Sequence, residues 1–163
     1  MSLKLLKADD PRLRKISAPV TTFNVELVEL AEEIKRWIQD QCEKAKKPGE
    51  GALGAGAPQF GHLVQLFVIW SPAYELTMAN PEIVKTSGSR RTVEGCLSLP
   101  GRVFIVDRPK VVKIRGFSVE GELISAKAHG QIAQAMMHEI EHLQGILVDN
   151  VAIAEVPKEM IRA

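Results

Sequence analysis

The sequence predicts an α+β fold in which short, mostly antiparallel sheets surround a central helix. One amphipathic helix is expected near the N-terminus and another near the C-terminus, with several apolar segments of strand length between them. Strands that are grouped between helices, instead of alternating with them, favour antiparallel pairing. A length of 163 residues is most simply one domain, spanning 1–163.

The first helix is predicted from residue 24 to about residue 44. Its apolar side chains recur with the 3.6-residue period of a helix, and charged side chains fill the opposite face. Asn24 is a suitable N-cap, and Glu26 suits the positive end of the helix dipole. Cys42 falls on the apolar face, which favours a packing role for its thiol.

The middle of the chain predicts a glycine-rich loop at 51–61, followed by strands. The alternation of Val112 and Ile114 with Lys113 and Arg115 is typical of a half-buried strand. A turn is expected around Gly121. The expected strands are 64–70, 76–84, 103–106, 111–117 and 123–125.

The second helix is predicted at 130–144, with Gly145 as the left-handed residue that ends it. The stripe expected to face the core consists of Ile132, Met136, Ile140 and Leu143. A different face carries His138 and His142, together with Gln131, Gln134 and Ala135.

The segment His138-Glu139-Ile140-Glu141-His142 on this helix predicts a metal site with an adjacent proton acceptor. Histidines one helical turn apart project within about 40° of each other and can bind the same ion. Glu139 lies beside them, where a carboxylate can take a proton from water at the ion. The rival interpretation is a surface helix that carries two histidines by chance.

Two histidines leave a catalytic metal site incomplete, because three protein ligands plus water are usual. A thermolysin-like protease would use a downstream carboxylate, for which Glu155 and Glu159 are candidates. Only 12 residues separate His142 from Glu155, which is short for a returning helix. Cys96 is the better candidate, although a buried cysteine is more often an inert core residue.

Composition argues against several classes of protein. The net charge of +1, from 21 basic and 20 acidic residues, implies no specific attraction to nucleic acid and none to an anionic membrane. No apolar run is long enough to span a bilayer, and the N-terminus has no apolar signal core. The chain is therefore expected in the cytoplasm, or in an organelle if a targeting segment has been removed, with Cys42 and Cys96 as free thiols.

Three segments, in this order, resemble the signature motifs of peptide deformylase. They are 54–59, Glu94-Gly95-Cys96-Leu97-Ser98 and His138-Glu139-Ile140-Glu141-His142, and the similarity extends over nearly the whole chain. The resemblance implies a hydrolase that removes the N-formyl group from formylmethionyl peptides of nascent proteins through a metal-bound hydroxide. It also implies transient proximity to the ribosome.

The resemblance further implies a role for particular residues. Cys96, His138 and His142 would bind one divalent ion, with Fe²⁺ expected in function and Zn²⁺ or Ni²⁺ as alternatives in a purified sample. Glu139 would act as general base and then as general acid. The residues expected to contact the peptide are Leu53, Gly54, Glu94, Gly95, Gln134 and Ala135.

The charge that develops on the formyl oxygen needs hydrogen-bond donors. The resemblance implies that the side chain of Gln59 and the backbone N–H of Leu97 supply them. Arg108 and Glu94 are expected either to form a pair that steadies the cysteine segment or to form a plain surface ion pair.

The first motif and the side-chain pocket depart from the family pattern. Ala52 and Ala55 stand where the family has Gly and Leu, which leaves the segment with smaller side chains and a looser backbone at Gly56. Gln131 and Gln134 lie where the methionine side chain of the substrate would pack. Two amides there are expected to weaken an apolar pocket. The alternatives are a zinc endopeptidase built on the two-histidine motif, or a deformylase-like protein with altered substrate or lost activity.

Overall fold

The computed structural model describes residues 3–46 and 51–161. These residues confirm the expected α+β fold with mostly antiparallel sheets. The helices are α1 (Val25–Lys44), α2 (Gly130–Leu143) and α3 (Val148–Val151). The strands are β1 (Gly54–Gly56), β2 (Leu66–Ser71), β3 (Tyr74–Ser87), β4 (Arg90–Cys96), β5 (Leu99–Arg108), β6 (Val111–Phe117), β7 (Leu123–His129) and β8 (Ala154–Glu155).

The strands form two antiparallel sheets. The larger has the order β1-β2-β3-β6-β7, and the smaller has the order β4-β5-β8. β1 and β4 are each the first strand of their sheet, so each has one side without a neighbouring strand in the described part of the chain. Such an edge presents backbone N–H and C=O groups that another extended chain can pair with.

The helix α1 forms as its sequence predicts. Asn24 Oδ1 accepts a hydrogen bond from the backbone N–H of Leu27 at 3.0 Å, which caps the first turn. Ile34 and Ile38 are fully buried and pack with Val68 of β2. Burial of each such side chain contributes about 1.5–3 kcal/mol to stability, so this one face accounts for the position of the helix.

The strand β2 is covered on both faces. Leu66 and Val68 pack in the cluster that includes α1, whereas Phe67 and Ile69 pack in the cluster that includes α2. This explains why the sequence of β2 is a continuous apolar run instead of an alternating one. The α2 side of that second cluster consists of Ala133, Ala135, Met136, Ile140 and Leu143.

The glycine-rich segment is only partly a loop, which corrects the expectation for 51–61. Residues Gly54–Gly56 form β1 and pair with β2, and Ala57–Phe60 form a 3-10 turn. A side chain on Gly54 would approach Val68 O to 3.0 Å and Glu139 Cγ to 3.2 Å. Glycine therefore allows β1 to lie directly against α2.

The strand β4 was not predicted. Its inward positions are Arg90, Thr92, Glu94 and Cys96, so the buried side of the strand is largely polar. A polar inward face gives no apolar alternation, which is the signal used to recognise strands. The strand is nevertheless held by regular pairing with β5.

The strand β3 is longer than the predicted 76–84 and continues through Asn80-Pro81. Asn80 has a φ of 50°, and the register with β6 shifts at this point. Its side chain accepts from the backbone N–H of Val20 at 2.7 Å and donates to the backbone oxygen of Val20 at 2.9 Å. These contacts stabilise the bend, so the turn-forming pair interrupts the register without ending the strand.

No helix of residues 3–46 and 51–161 combines the length and apolar character needed to cross a bilayer. Both Cys42 and Cys96 are free thiols, as expected. Cys42 lies half-buried on α1 and donates a hydrogen bond to the backbone oxygen of Ala52 at 3.2 Å. Its contacts agree with the expected packing role.

Gly145, the second residue after α2, provides a test of how tightly the end of that helix packs. Gly145 has a φ of 73°, and an added Cβ would lie 2.6 Å from Arg14 O. We expect Gly145→Ala to lower the free energy of unfolding by about 3 kcal/mol or more, from the left-handed penalty together with the overlap. Urea denaturation measures this change.

The matched control is Gly101→Ala. Gly101 has a φ of 76°, but an added Cβ would meet nothing within 4 Å. Only the backbone penalty of about 1 kcal/mol is therefore expected for this variant. Equal losses of stability in the two variants would contradict the tight contact between Gly145 and Arg14.

Candidate metal centre

Cys96, His138 and His142 offer three donor atoms that all lie within 4.8 Å of one another. His142 Nε2 lies 3.2 Å from His138 Nε2 and 3.5 Å from Cys96 Sγ. The two histidines extend from adjacent turns of α2, as their spacing predicts, and the cysteine comes from the far end of β4. The tertiary structure thus brings the thiol to the imidazole pair.

These distances fit a metal ion bound by the three side chains. Tetrahedral coordination with typical metal–nitrogen and metal–sulfur bonds would separate two nitrogens by roughly 3.3 Å, and a nitrogen from a sulfur by roughly 3.6 Å. The observed separations of 3.2 and 3.5 Å are close to both values. The thiol and imidazole donors also match the ligands that divalent transition metals prefer.

The strand β4 delivers the thiol through an irregular end. The register with β5 shifts between Glu94 and Cys96, and Cys96 is paired with Leu99 across a tight turn at Leu97 and Ser98. A register shift of this kind redirects a side chain at the end of a strand. Gly95 lies within it and is exposed at the cleft.

Glu94 and Arg108 form a buried ion pair, so the surface ion-pair interpretation is wrong. Arg108 Nε and Nη2 donate to the two oxygens of Glu94, each at 2.8 Å, and both side chains are 2% exposed. Arg108 Nη1 also donates to Glu141 Oε2 at 2.8 Å. The guanidinium therefore connects β4 to α2 through two carboxylates.

The same carboxylate of Glu94 reaches a metal-ligand candidate. His138 Nδ1 lies 3.2 Å from Glu94 Oε1, and Thr92 Oγ1 donates to Glu94 Oε2 at 2.7 Å. Burial disfavours the charged carboxylate, but hydrogen bonds from Arg108 and His138 outweigh it and lower the pKa of Glu94 to about 2. A carboxylate that accepts from Nδ1 leaves Nε2 with the lone pair that a metal ligand would need.

The carboxylate of Glu94, a residue expected to contact the peptide, is engaged by other side chains. Arg108, Thr92 and His138 engage its two oxygens, and its side chain is almost fully buried. The carboxylate therefore acts on these side chains instead of on the cleft. Only the backbone of Glu94 remains to contact a peptide there.

The two histidines differ in their electrostatic surroundings. Burial acts to lower the pKa of His138, but hydrogen bonds with Cys96 and Glu94 and the charge of Glu139 raise it well above its usual value. Burial and the charge of His138 lower the pKa of His142 well below its usual value. The surroundings therefore favour the charged form of His138 and keep His142 neutral, the form in which an imidazole binds a metal.

Glu139 is buried beside Cys96, His138 and His142, which we call the triad. Its Oε2 has no hydrogen-bond partner in the described part of the chain. Burial raises the pKa of the Glu139 carboxyl to about 7, although the charge of His138 opposes the shift. A carboxyl with its pKa near neutrality can both accept and release a proton, which is the property that acid–base catalysis needs.

Gln59 is held in place with its amide nitrogen toward the triad. Its Oε1 accepts from the backbone N–H of Gly56 at 3.0 Å, and its Nε2 donates to Ser98 Oγ at 3.3 Å. The same Nε2 lies 4.0 Å from Cys96 Sγ. Leu97 follows Cys96 in the turn before β5, which places its backbone next to the thiol.

A cleft of about 890 Å³ opens in front of the triad. Its walls include β1, β4 and the face of α2 that precedes His138, so the free sides of two sheets meet there. All six residues that were expected to contact a peptide line this cleft: Leu53, Gly54, Glu94, Gly95, Gln134 and Ala135.

The downstream carboxylates do not join the metal centre. Glu155 is in β8 and pairs with Arg102 at 2.7 Å on the surface, and Glu159 is exposed in a 3-10 turn. Within residues 3–46 and 51–161, the donors that cluster closely enough to bind one metal ion are those of Cys96, His138 and His142. This arrangement disfavours the thermolysin-like ligand set.

Several side chains of the centre were missed by sequence reasoning. Thr92, Ser98 and Glu141 hydrogen-bond to Glu94, Gln59 and Arg108 respectively. Each lies inside or beside a recognised motif, but the type of a polar residue does not indicate which distant residue it will hydrogen-bond to. Their roles became visible only when β4, β5 and α2 were brought together.

Comparison with known proteins places this chain in a well-populated group. The family model described as "Polypeptide deformylase" matches residues 2–155. A peptide deformylase of Alkaliphilus metalliredigens is 37% identical over 156 residues, covering 95% of this chain and 100% of the relative. "Peptide deformylase 1" of Clostridium acetobutylicum is 38% identical over 150 residues, covering 91% and 94% of the two chains.

Solved structures agree with these matches. A peptide deformylase of Legionella pneumophila superposes with a TM-score of 0.83 at 31% identity, covering 93% of this chain and 86% of the other. A class I type b peptide deformylase of Acinetobacter baumannii bound to Met-Ala-Ser gives a TM-score of 0.81 at 26% identity, covering 93% and 98%.

The buried pair of Arg108 and Glu94 predicts a large loss of stability on its removal. Arg108→Met would leave two carboxylates without their cation, so we expect the free energy of unfolding to fall by about 3–5 kcal/mol. Affinity for the metal should also fall by about 10–100-fold, because His138 loses its fixed partner. Denaturant titration and metal competition measure the two effects.

Arg115→Met is the matched control. Arg115 pairs with Glu82 at 3.2 Å, but the two side chains are 56% and 63% exposed. A loss of less than about 1 kcal/mol is expected, with unchanged metal affinity. Similar losses in both variants would refute the anchoring role of Arg108.

Proposed function

The chain belongs to the polypeptide deformylase family, and we propose from the geometry of its cleft which residues carry out the reaction. It removes the N-formyl group from nascent peptides, as a metal-dependent hydrolase. The observation that carries the assignment of residues is the grouping of Cys96, His138 and His142 beside the buried carboxylate of Glu139.

Cys96, His138 and His142 would hold the metal ion of this family. Their donor separations and the carboxylate on His138 Nδ1 support that ligand set. A divalent ion bound there lowers the pKa of a water molecule and polarises the formyl carbonyl. We assign Fe²⁺ as the ion in function, with Zn²⁺ and Ni²⁺ as ions that the same ligands accept.

Glu139 would move the proton. Its unpartnered Oε2 and its pKa of about 7 suit a group that takes a proton from the attacking water. The same carboxyl would then give this proton to the amine when the bond between the formyl carbon and nitrogen breaks. Formate and a free N-terminus are the products.

Gln59 and Leu97 would stabilise the negative charge on the formyl oxygen. Gln59 Nε2 is fixed by Gly56 and Ser98 at the edge of the cleft, and Leu97 N–H follows the thiol directly. Donors that are fixed before the reaction need no reorganisation, and each typically contributes a few kcal/mol to lowering the barrier.

The peptide would lie extended between the free sides of β1 and β4. The backbone groups of Leu53, Gly54 and Gly95 line the cleft there and can pair with it as a strand does. Ala135 adds a small side chain to the floor, and Gln134 lies beside it. Because this site uses both sheets and α2, we propose that the whole chain works as one domain.

The substrate also bears on where the protein acts. Formylated N-termini belong to nascent chains, so we propose that the enzyme works in transient proximity to the ribosome. We assign it to the cytoplasm, or to an organelle that makes its own proteins. Two free cysteines, one of them a ligand candidate, agree with a reducing compartment.

Glu139→Ala separates metal binding from turnover. We expect the variant to keep one ion per chain, because Glu139 is not among the clustered donors, while kcat falls by about 10²–10⁴-fold. Metal analysis and formate release from formyl-Met-Ala-Ser measure the two quantities. Near-normal turnover would remove Glu139 as the proton carrier.

Glu155→Ala is the matched control for this experiment. Glu155 lies on the surface with Arg102, so both metal content and kcat should remain unchanged. Loss of the ion from this variant would instead favour the endopeptidase ligand set.

The thiol ligand predicts a sulfur signature and sensitivity to oxygen. X-ray absorption of the loaded protein should show one sulfur at about 2.3 Å, which disappears together with the ion in Cys96→Ser. The Fe²⁺ form should lose activity in air, whereas the Zn²⁺ form should not. Metal surroundings of nitrogen and oxygen alone would contradict the assignment of Cys96.

A further inference from the structure

One wall of the cleft is polar. Gln134 and Gln131 lie four and seven residues before His138 on α2, so they project to the same side of the helix as that ligand. Both line the cleft, and the position between Gln134 and Met136 is Ala135, whose methyl group covers little of the wall. The lining also includes the apolar side chains of Trp37, Leu53 and Trp70.

Arg90 stands behind this polar wall. It occupies the first inward position of β4, half-buried, and its Nη2 donates to Gln134 Oε1 at 3.2 Å. In residues 3–46 and 51–161 no carboxylate forms an ion pair with Arg90, in contrast to Arg108 with its two. Because Arg90 donates to Oε1 of Gln134, the Nε2 of that amide is the hydrogen-bond donor left for an acceptor in the cleft.

The first side chain of the substrate reaches this wall, an inference that rests on the proposed function. A formyl carbon near the triad puts the adjacent side chain beside α2, and Gln134 lies one turn, or about 6 Å, along the helix from His138. Methionine is unbranched with three rotatable bonds and can span that distance. Its sulfur would then face the amide of Gln134, whose oxygen accepts from the Arg90 guanidinium.

We propose that this enzyme also deformylates peptides whose first residue is methionine sulfoxide. The sulfoxide has the length of methionine but carries an oxygen that accepts hydrogen bonds, whereas a thioether is a weak acceptor. Gln134 Nε2 supplies a donor on this wall, and Arg90 orients the amide by donating to its Oε1. Water adds to the formyl carbon, the carbon–nitrogen bond breaks, and formate and the amine leave with the sulfoxide unchanged.

Three tripeptides that differ only in the first side chain test this proposal. They are formyl-Met-Ala-Ser, formyl-Met(sulfoxide)-Ala-Ser and formyl-norleucine-Ala-Ser, assayed with the metal-loaded protein. We expect kcat/KM for the sulfoxide to be within about tenfold of that for methionine, because one or two hydrogen bonds replace those lost to water. An apolar pocket would reject the sulfoxide far more strongly, since its oxygen would be buried without a partner.

Gln134→Leu and Arg90→Met should each lower the sulfoxide-to-methionine ratio of kcat/KM by about threefold to tenfold. Turnover of the norleucine peptide should rise in Gln134→Leu, because leucine makes this wall of the cleft apolar. The matched controls are Gln144→Leu at the end of the same helix and Arg91→Met, whose side chain pairs with Asp107 on the exposed face. Neither control should change the ratio. The ratio is the informative quantity because a merely structural effect would lower turnover of both peptides equally.

Binding of the unformylated products gives a readout independent of turnover. By calorimetry, Met(sulfoxide)-Ala-Ser should bind at least as well as Met-Ala-Ser, and Gln134→Leu should reverse that order. Rejection of the sulfoxide by more than about 100-fold, or a ratio that no cleft variant changes, would overturn the proposal while leaving deformylation intact. Failure to release formate from any of the peptides would instead overturn the proposed function.

Discussion

The ion pair between Glu94 and Arg108 is the constraint on which the centre depends. Burial of either charge alone would be strongly unfavourable, so the carboxylate and guanidinium require each other. Glu94 is on β4, Arg108 on β5 and Glu141 on α2. The ion pairs among them therefore hold the three-stranded sheet against α2. The thiol of Cys96 follows two residues after Glu94 and is thereby brought to the histidines.

The same carboxylate links stability to chemistry. By accepting from His138 Nδ1, Glu94 orients the ring whose other nitrogen faces Cys96 and His142. Glu139, the residue after His138, is buried, and its Oε2 has no partner among the residues that the structure describes. Burial raises its pKa to about 7. One face of α2 therefore holds an ordered ligand candidate beside a buried acid, an arrangement that costs stability and suits the proton transfer that we propose.

The cleft exists because two sheets end beside one helix. β1 and β4 are both at sheet edges, and glycines at 54 and 95 let backbone come close to whatever lies between them. An open edge favours aggregation in most proteins, but here the edges border a concave site that fits an extended peptide. In the proposal made above, selection of the first side chain falls to Gln134 of α2, whose amide Arg90 orients.

The sequence alone determined α1, α2 and the grouping of the two histidines, because helical periodicity depends on neighbours within one or two turns. The resemblance also named Cys96, Glu139 and Gln59. It could not reveal β4, whose inward side chains are polar, or the burial of Glu94. The partners of these side chains lie far away in sequence, 14 residues for Glu94 with Arg108 and 44 residues for both His138 with Glu94 and Arg90 with Gln134. Only the folded chain decides whether a charge at such a position meets water or its partner.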